Sequence, residues 1–287
     1  MSAVVADVVA IRVPERSWHS EARAVKIVCR RELIRFLGDR AQMMMALIQP
    51  LLFLFVLGAG LESLSAASTD GVDLKTFIFP GVLSMVVLFT ALFRAASLVW
   101  DRELGFLREM LVAPVSRSSI ILGKCLGGAI IASSQGLLVL ALAALVHVPY
   151  DPVLILGVFG LLLLLALTVT AFGVLVAVSI KQAQTFTSVM QLFLMPMFFV
   201  SGALYPVSGL PTWLGVLNRI DPLTYAVDPM RRLMFDHLDI SEAARRTLDP
   251  GVTWFGWRVP SLVEIGMVLL LGLAMMGVAI WKFSRTE

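Results

Sequence analysis

Charge is what this sequence has least of. Only 15% of its 287 residues are acidic or basic, while 59% are hydrophobic; soluble domains average about a quarter charged. A water-soluble domain of that composition would expose apolar patches large enough to aggregate, so lipid is the solvent the composition calls for. Cysteine is also scarce. Cys29 and Cys125 both fall in or beside segments assigned below to the cytoplasm, and no disulfide framework is expected. The three histidines are scattered. His237 with Asp236 and Asp239 is the nearest approach to a ligand trio, but loops gather such trios by chance, so no metal site is expected. The chain opens without a basic stretch followed by a short apolar one, so no signal peptide is expected.

Two further absences bear on function. Within the long apolar runs the ionisable residues are Arg94 and Glu264, each near an end. Ion-coupled transporters and membrane-embedded enzymes need carboxylates, His or Cys at depth. Here the runs offer only mild polar groups, among them Gln135, Thr187 and Gln191, which are the candidate substrate-lining residues. No catalytic residue is expected. A phosphate-cradling loop is also missing. Around Gly123-Lys124-Cys125, Ser118 stands where a P-loop has its first Gly and Cys125 where it has the magnesium-binding hydroxyl. Any energy for moving solutes must come from outside this chain, which is expected to bind no cofactor itself.

Six apolar runs are long enough to span a bilayer: Ala41–Leu61, Phe77–Val99, Leu126–Val146, Val153–Ile180, Phe186–Leu204 and Leu262–Trp281. The net charge of +3 does not indicate nucleic acid, because the basic residues cluster beside these runs as topology determinants do. Sixteen of the 23 Lys and Arg residues lie on one side, which places both ends of the chain in the cytoplasm. The expected fold class is an all-α integral membrane protein with six transmembrane helices. One transmembrane domain covers residues 1–287. It comprises a cytoplasmic or interfacial segment (1–40), spans one to five (41–204), an outer region (205–260), and the last span with its tail (261–287).

Three connecting segments are patterned. A helix capped by Ser20 and running to Leu37 would gather Ala22, Val25, Val28, Cys29, Leu33 and Phe36 on one face, with Arg23, Lys26, Arg30 and Arg31 on the other; such a basic amphipathic helix lies in the headgroup plane. Between Trp100 and Lys124, Leu104, Leu107 and Leu111 recur at helical spacing among Asp101, Glu103, Arg108 and Glu109, and Pro114 ends that helix. Ser116 and Ser118 are candidate caps for the third span. In the outer region, Thr212–Arg219 and Leu223–Phe235 read as short helices opened by Pro211 and Pro222, too short to span. Trp254, Phe255 and Trp257 read as an aromatic belt. Gly123 and Gly127 form a small-xxx-small step of the kind that brings helices close.

The stretch from Asp101 to Lys124 resembles the cytoplasmic loop of ABC-2 type permeases in Glu103, Gly105, Glu109, Leu111, Val112, Pro114, Gly123 and Lys124. The outer segment is similar to that family in Ser201-Gly202, Leu210-Pro211 and Pro222-Leu223-Thr224-Tyr225 followed by Arg231. The nearest subgroup is the daunorubicin-resistance and nodulation-oligosaccharide type of exporter. The resemblance implies a homodimeric permease of the bacterial inner membrane seated on two copies of a separate ATPase subunit that carries ATP and Mg. It implies a coupling helix in Asp101, Glu103, Leu104, Gly105, Leu107, Glu109, Leu111 and Pro114, with a connecting helix beside it that includes Val25, Val28, Arg31 and Phe36. Two short re-entrant helices bearing Pro211, Pro222, Tyr225 and Arg231 would close the exit. Phe106 departs from the small or hydroxyl residue often found after Gly105. A passive channel or a membrane scaffold would share the hydropathy but has no need of a docking helix.

Overall fold

The structure, a computed structural model, describes residues 17–60, 73–112, 115–207, 211–238, 241, 245, 248, 251–254 and 256–286. Leu61, Pro114, Leu210, Asp239 and Phe255 lie outside the described residues. Helix α1, Trp18–Gly38, opens with a capping box in which Ser17 and Ser20 each accept the other's backbone N–H. Ser17, rather than Ser20, is therefore the cap. Helix α2 covers Arg40–Gly60. Asp39 caps it, and Phe53–Leu57 wind as a π turn shortly after Pro50, whose missing N–H already weakens the regular ladder there. Helix α3, Leu74–Glu103, stops at Gly105, whose φ of +81° is conformational space that only glycine enters freely. A separate short helix α4, Phe106–Val112, follows.

Helix α5, Arg117–Leu140, is capped by Ser116 and starts well before the apolar run at Leu126. Helix α6, Pro152–Ser179, carries Pro152 in its first turn behind an Asp151 cap that accepts two backbone N–H groups. Helix α7 is Ala183–Val200. Two short helices follow, α8 (Thr212–Ile220) and α9 (Thr224–Asp236), then a two-residue hairpin, β1 (Thr253–Trp254) with β2 (Trp257–Arg258). Trp254 and Trp257 stand partly exposed on this hairpin, the first donating its indole N–H to Tyr225 at 2.9 Å. Helix α10 is Ser261–Thr286.

Six of these helices (α2, α3, α5, α6, α7 and α10) are long and apolar enough to cross a membrane, one for each run read from the sequence. The fold is all-α apart from the hairpin. Helix α3 is the hub. It is buried along most of its length and touches α2, α5, α6, α7 and α9. Helix α1 lies against α5. Helices α2, α7 and α10 bury little of themselves and expose side chains such as Met45, Leu192 and Leu270, as surfaces facing lipid or a second copy do. The core thus sits between α3, α5 and α6, with α1 and α4 gathered at one end and α8, α9 and the hairpin at the other.

Candidate functional site

The first site is an ion-pair junction at the α1 end. Asp101, fully buried in the last turn of α3, accepts from Lys124 Nζ of α5 at 2.5 Å and from Arg31 and Arg35 of α1 at 3.1 and 3.3 Å. Lys124 also reaches Glu32 at 2.7 Å and the Ser97 hydroxyl at 3.0 Å. Three helices from distant parts of the chain converge on these groups. Buried charges of opposite sign hold such a geometry because each would be costly alone. Near the start of α1, Glu21 accepts from the Ser116 and Ser119 hydroxyls at 2.5 Å. Burial and the Glu32 carboxylate push the Cys29 thiol up, which keeps it protonated and unreactive; Cys29 and Cys125 are both free.

Sequence reasoning brought Arg31 and Asp101 to this region but missed their partners. Lys124, matched in the sequence as the end of the loop motif, is buried inside α5, and Glu32, to which no role was assigned, is buried beside it. The buried face of α1 is Ala24, Val28, Glu32 and Phe36. Ala22, expected on that face, is exposed, and Val25 is half-buried. Gly123 and Gly127, read as a small-residue step that brings helices close, are the seat of α1. A Cβ on Gly123 would lie 2.6 Å from Val28 Cβ, and one on Gly127 would lie 3.0 Å from Glu32 Cβ. Only glycine lets the two backbones approach so closely.

The loop helix also needs a correction. A single docking face of Leu104, Leu107 and Leu111 was expected. Leu107 is instead 1% exposed in the chain's own core, and Leu111 packs half-buried against it. The break at Gly105 turns the helix so that Leu104 (63%), Phe106 (44%) and Val112 (87%) are the apolar residues left facing outward. Arg108 and Glu109 are exposed beside them. Arg31 holds α4 in place, donating to Met110 Sδ at 3.1 Å and lying 5.7 Å over the Phe106 ring.

Consecutive residues of the α3 end clamp two further helices. Arg102 donates to the carbonyls of Ala177 and Ile180 at 3.2 and 2.8 Å, closing the C-terminal end of α6. Glu103 accepts the Ala183 N–H at 2.8 Å at the start of α7. Each charge complements the helix dipole it meets. Glu103, expected in the coupling helix, is thereby engaged within the chain. Arg117 donates to the Ser284 carbonyl of α10 at 2.8 Å, and the first turn of α2 is held through Gln42, which accepts from Arg94, and the Met43 carbonyl, which accepts from Gln135.

At the opposite end, Pro211 stands at the N-cap of α8, and Asp221, just before Pro222, accepts the Leu223 N–H at 3.0 Å ahead of α9. Tyr225 donates to the Arg219 carbonyl at 2.6 Å. Arg231 is buried 4.3 Å over the Phe77 ring and donates to the Gly202 carbonyl at 2.7 Å, pinning the turn after α7 to α9 and α3. The four expected gate residues thus belong to α8, α9 and the turns that open them. Arg232, which sequence reasoning passed over, ties Asp228 to the fully buried Glu264 of α10. Burial pushes the Asp221 carboxyl up to about 7 despite its backbone hydrogen bond, and burial raises the Tyr225 hydroxyl as well. His237 Nδ1 lies 2.9 Å from the Leu233 carbonyl, and Asp236 pairs with Arg245 at 2.5 Å. No group of three metal-ligating side chains occurs among the described residues.

The three candidate lining residues do not converge. Gln135 is buried, bonded to Thr90 and to the Met43 carbonyl, at the edge of a cavity of about 250 Å3 that also meets Gln42, Gln49 and Arg94. Thr187 bonds back to the Ala183 carbonyl at 3.0 Å, and Gln191 is exposed on α7.

A family model described as ABC-2 type transporter matches residues 23–235. The putative transport permease ycf38 of Cyanophora paradoxa is 30% identical over 190 residues, 65% of this chain and 66% of its own length. The probable multidrug ABC transporter permease YbhR of Escherichia coli is 29% identical over 164 residues, 56% of this chain and 44% of its own. The chain covers less than two thirds of either. The inner membrane transport permease YadH of Escherichia coli is 26% identical over 246 residues, 85% of this chain and 92% of its own.

Proposed function

This chain belongs to the ABC-2 type transporter family, and from that premise we propose that it is the membrane permease of an ATP-driven exporter of the bacterial inner membrane. Its cargo is amphipathic: drug-like, lipid-linked or saccharide, as in the daunorubicin-resistance and nodulation-oligosaccharide subgroup. ATP and Mg are carried by two copies of a separate ATPase subunit docked on the cytoplasmic face. The observation that carries this reading is the Asp101–Lys124–Glu32 junction. It joins α1, α3 and α5 at the root of α4, where Leu104 before the break and Phe106 and Val112 after it face away from the chain. A push on α4 is passed to α5 through Asp101, and to α6 and α7 through Arg102 and Glu103. Helices α8 and α9 dip back into the membrane and, through Tyr225 and Arg231, close the outer exit.

Apolar anchors in a docked interface are each worth about 2 kcal/mol or more. Changing Leu104→Asp together with Val112→Asp should therefore cut co-purification of the ATPase encoded beside this chain at least about tenfold, with the permease level in membranes unchanged. Wild-type recovery of the ATPase would overturn the docking site.

The permease acts as a homodimer. Gln184, Ser188 and Gln191 form one exposed polar stripe on α7, and Gln49 is exposed on α2. Polar groups on a spanning helix are disfavoured against lipid and suit a second copy or an aqueous path. A Gln191→Cys variant, with Cys29 and Cys125 replaced, should form an oxidative cross-link that doubles the mass on a denaturing gel. A cysteine that reacts with maleimide but never cross-links would overturn this face.

A further inference from the structure

We propose that the cavity between α1, α2, α3 and α5 holds the head group of one anionic phospholipid, with Arg94 binding its phosphate. Arg94 stands on the cavity wall and is only 6% exposed. Its guanidinium lies 5.4 Å over the Phe36 ring of α1 and donates to the Gln42 side-chain oxygen of α2. A guanidinium offers five N–H donors, and that neutral oxygen is its one acceptor among the described residues. Its remaining nitrogens are not sealed off by the fold. Glu32 is taken by Lys124, and Asp39 by the backbone N–H of Gln42. Both carboxylates act on Arg94 from longer range, and Arg35 repels it. A cation in a spanning helix without a carboxylate beside it is costly. An anion from outside the chain supplies what it lacks.

The rest of the cavity indicates what carries that anion. Its volume of about 250 Å3 has room for a phosphate and its glycerol but not for acyl chains. Thr90 and Gln135 spend their polar atoms on each other and on the Met43 carbonyl. The Gln42 amide nitrogen has no partner among the described residues and is a second donor to the phosphate. Met45 and Phe93 line the same cavity and are 70% and 40% exposed, which leaves the chains an apolar way out into the bilayer. Gln42 belongs to the first turn of α2, so the cavity lies at the depth where head groups begin. Basic pockets between spanning helices take lipid head groups on the cytoplasmic side. No carboxylate lines this one to receive the ammonium of choline or ethanolamine, and a single guanidinium matches a single phosphate. Phosphatidylglycerol meets both conditions. The test needs only the purified chain, so its failure would leave the exporter reading as it stands.

The test is native mass spectrometry of the full chain in detergent, titrated with phosphatidylglycerol and, separately, with phosphatidylcholine. The first phosphatidylglycerol should bind at least about tenfold more tightly than the first phosphatidylcholine. Arg94→Gln, which keeps a donor but loses the charge, should weaken it about tenfold and erase that preference. Arg94→Lys should fall between the two, since it keeps the charge without the planar fork. Ala46→Leu fills the cavity from its half-buried wall and should weaken binding with every charge in place. Monodisperse elution and an unchanged melting temperature report folding of each variant. Equal phosphatidylglycerol affinity of wild type and Arg94→Gln would overturn the proposal, as would phosphatidylcholine bound just as tightly. Displacement of the lipid by free glycerol 3-phosphate would also overturn it, because the site would then belong to a soluble phosphate.

Discussion

Lys124→Met is expected to be the most damaging single substitution at the junction, lowering stability by about 3–5 kcal/mol, the usual cost of stranding a buried charge. Lys124 Nζ serves Asp101 and Glu32 together. Without it, Glu32 is left with only the longer-range attraction of Arg94, while Asp101 retains Arg31 and Arg35, whose side chains are 37% and 40% exposed. Asp101→Asn should be milder, because Lys124 keeps Glu32 and the two arginines can turn to water. The double variant Lys124→Met, Glu32→Gln should recover part of the loss, since neither residue then carries charge. Melting followed by tryptophan fluorescence in detergent, with size exclusion as a check, gives the order. Equal melting temperatures for wild type and Lys124→Met would remove the junction from the account of how α1 is held.

Gly123→Leu carries the second large effect, and it acts on position more than on charge. The added side chain would start 2.6 Å from Val28 Cβ and 3.0 Å from the Val25 carbonyl. Backbone on the α1 side cannot yield, so α1 must lift. Overpacking of this kind costs about 1–3 kcal/mol. Here it also separates Arg31 and Glu32 from Asp101 and Lys124. The expected phenotype is a permease that inserts and still binds its ATPase through Leu104 and Val112 but no longer couples hydrolysis to transport. Limited trypsin digestion of vesicles should cut α1 at Arg23 and Lys26 at least about tenfold faster than in wild type, with Gly123→Ala between the two. An unchanged digestion pattern and full coupling in Gly123→Leu would show that α1 does not rest on this groove.

Sequence alone gave the number of spanning helices, because six long apolar runs leave lipid as the only solvent for them. It also gave the two short helices of the outer segment from their prolines. What it missed shares one cause. The pairing of Lys124, Glu32 and Arg102 was not legible because their partners lie tens of residues away, beyond the reach of any local pattern. Leu107 was assigned to the wrong side because a helix as short as Phe106–Val112 has too few turns for periodicity to tell inward from outward. The kink at Gly105 decides it, and only the fold shows that rotation. The apolar face of α1 was drawn through Ala22, whereas the buried side runs through Ala24 and includes the carboxylate Glu32, which an apolar pattern does not mark. The glycine step was legible, but its occupant was not.

The π turn at Phe53–Leu57 has a consequence for the phase of α2. A turn that closes one residue later than an α turn rotates everything after it by about 100°. It is this offset that delivers Gly58 to the stem of Lys75, where a Cβ would collide; in an unbroken helix the larger Leu57 would arrive there instead. The residue absorbed by the turn is thus a spacer. Losing one residue anywhere between Phe53 and Val56 would straighten the helix while leaving Gly58 in register against Lys75.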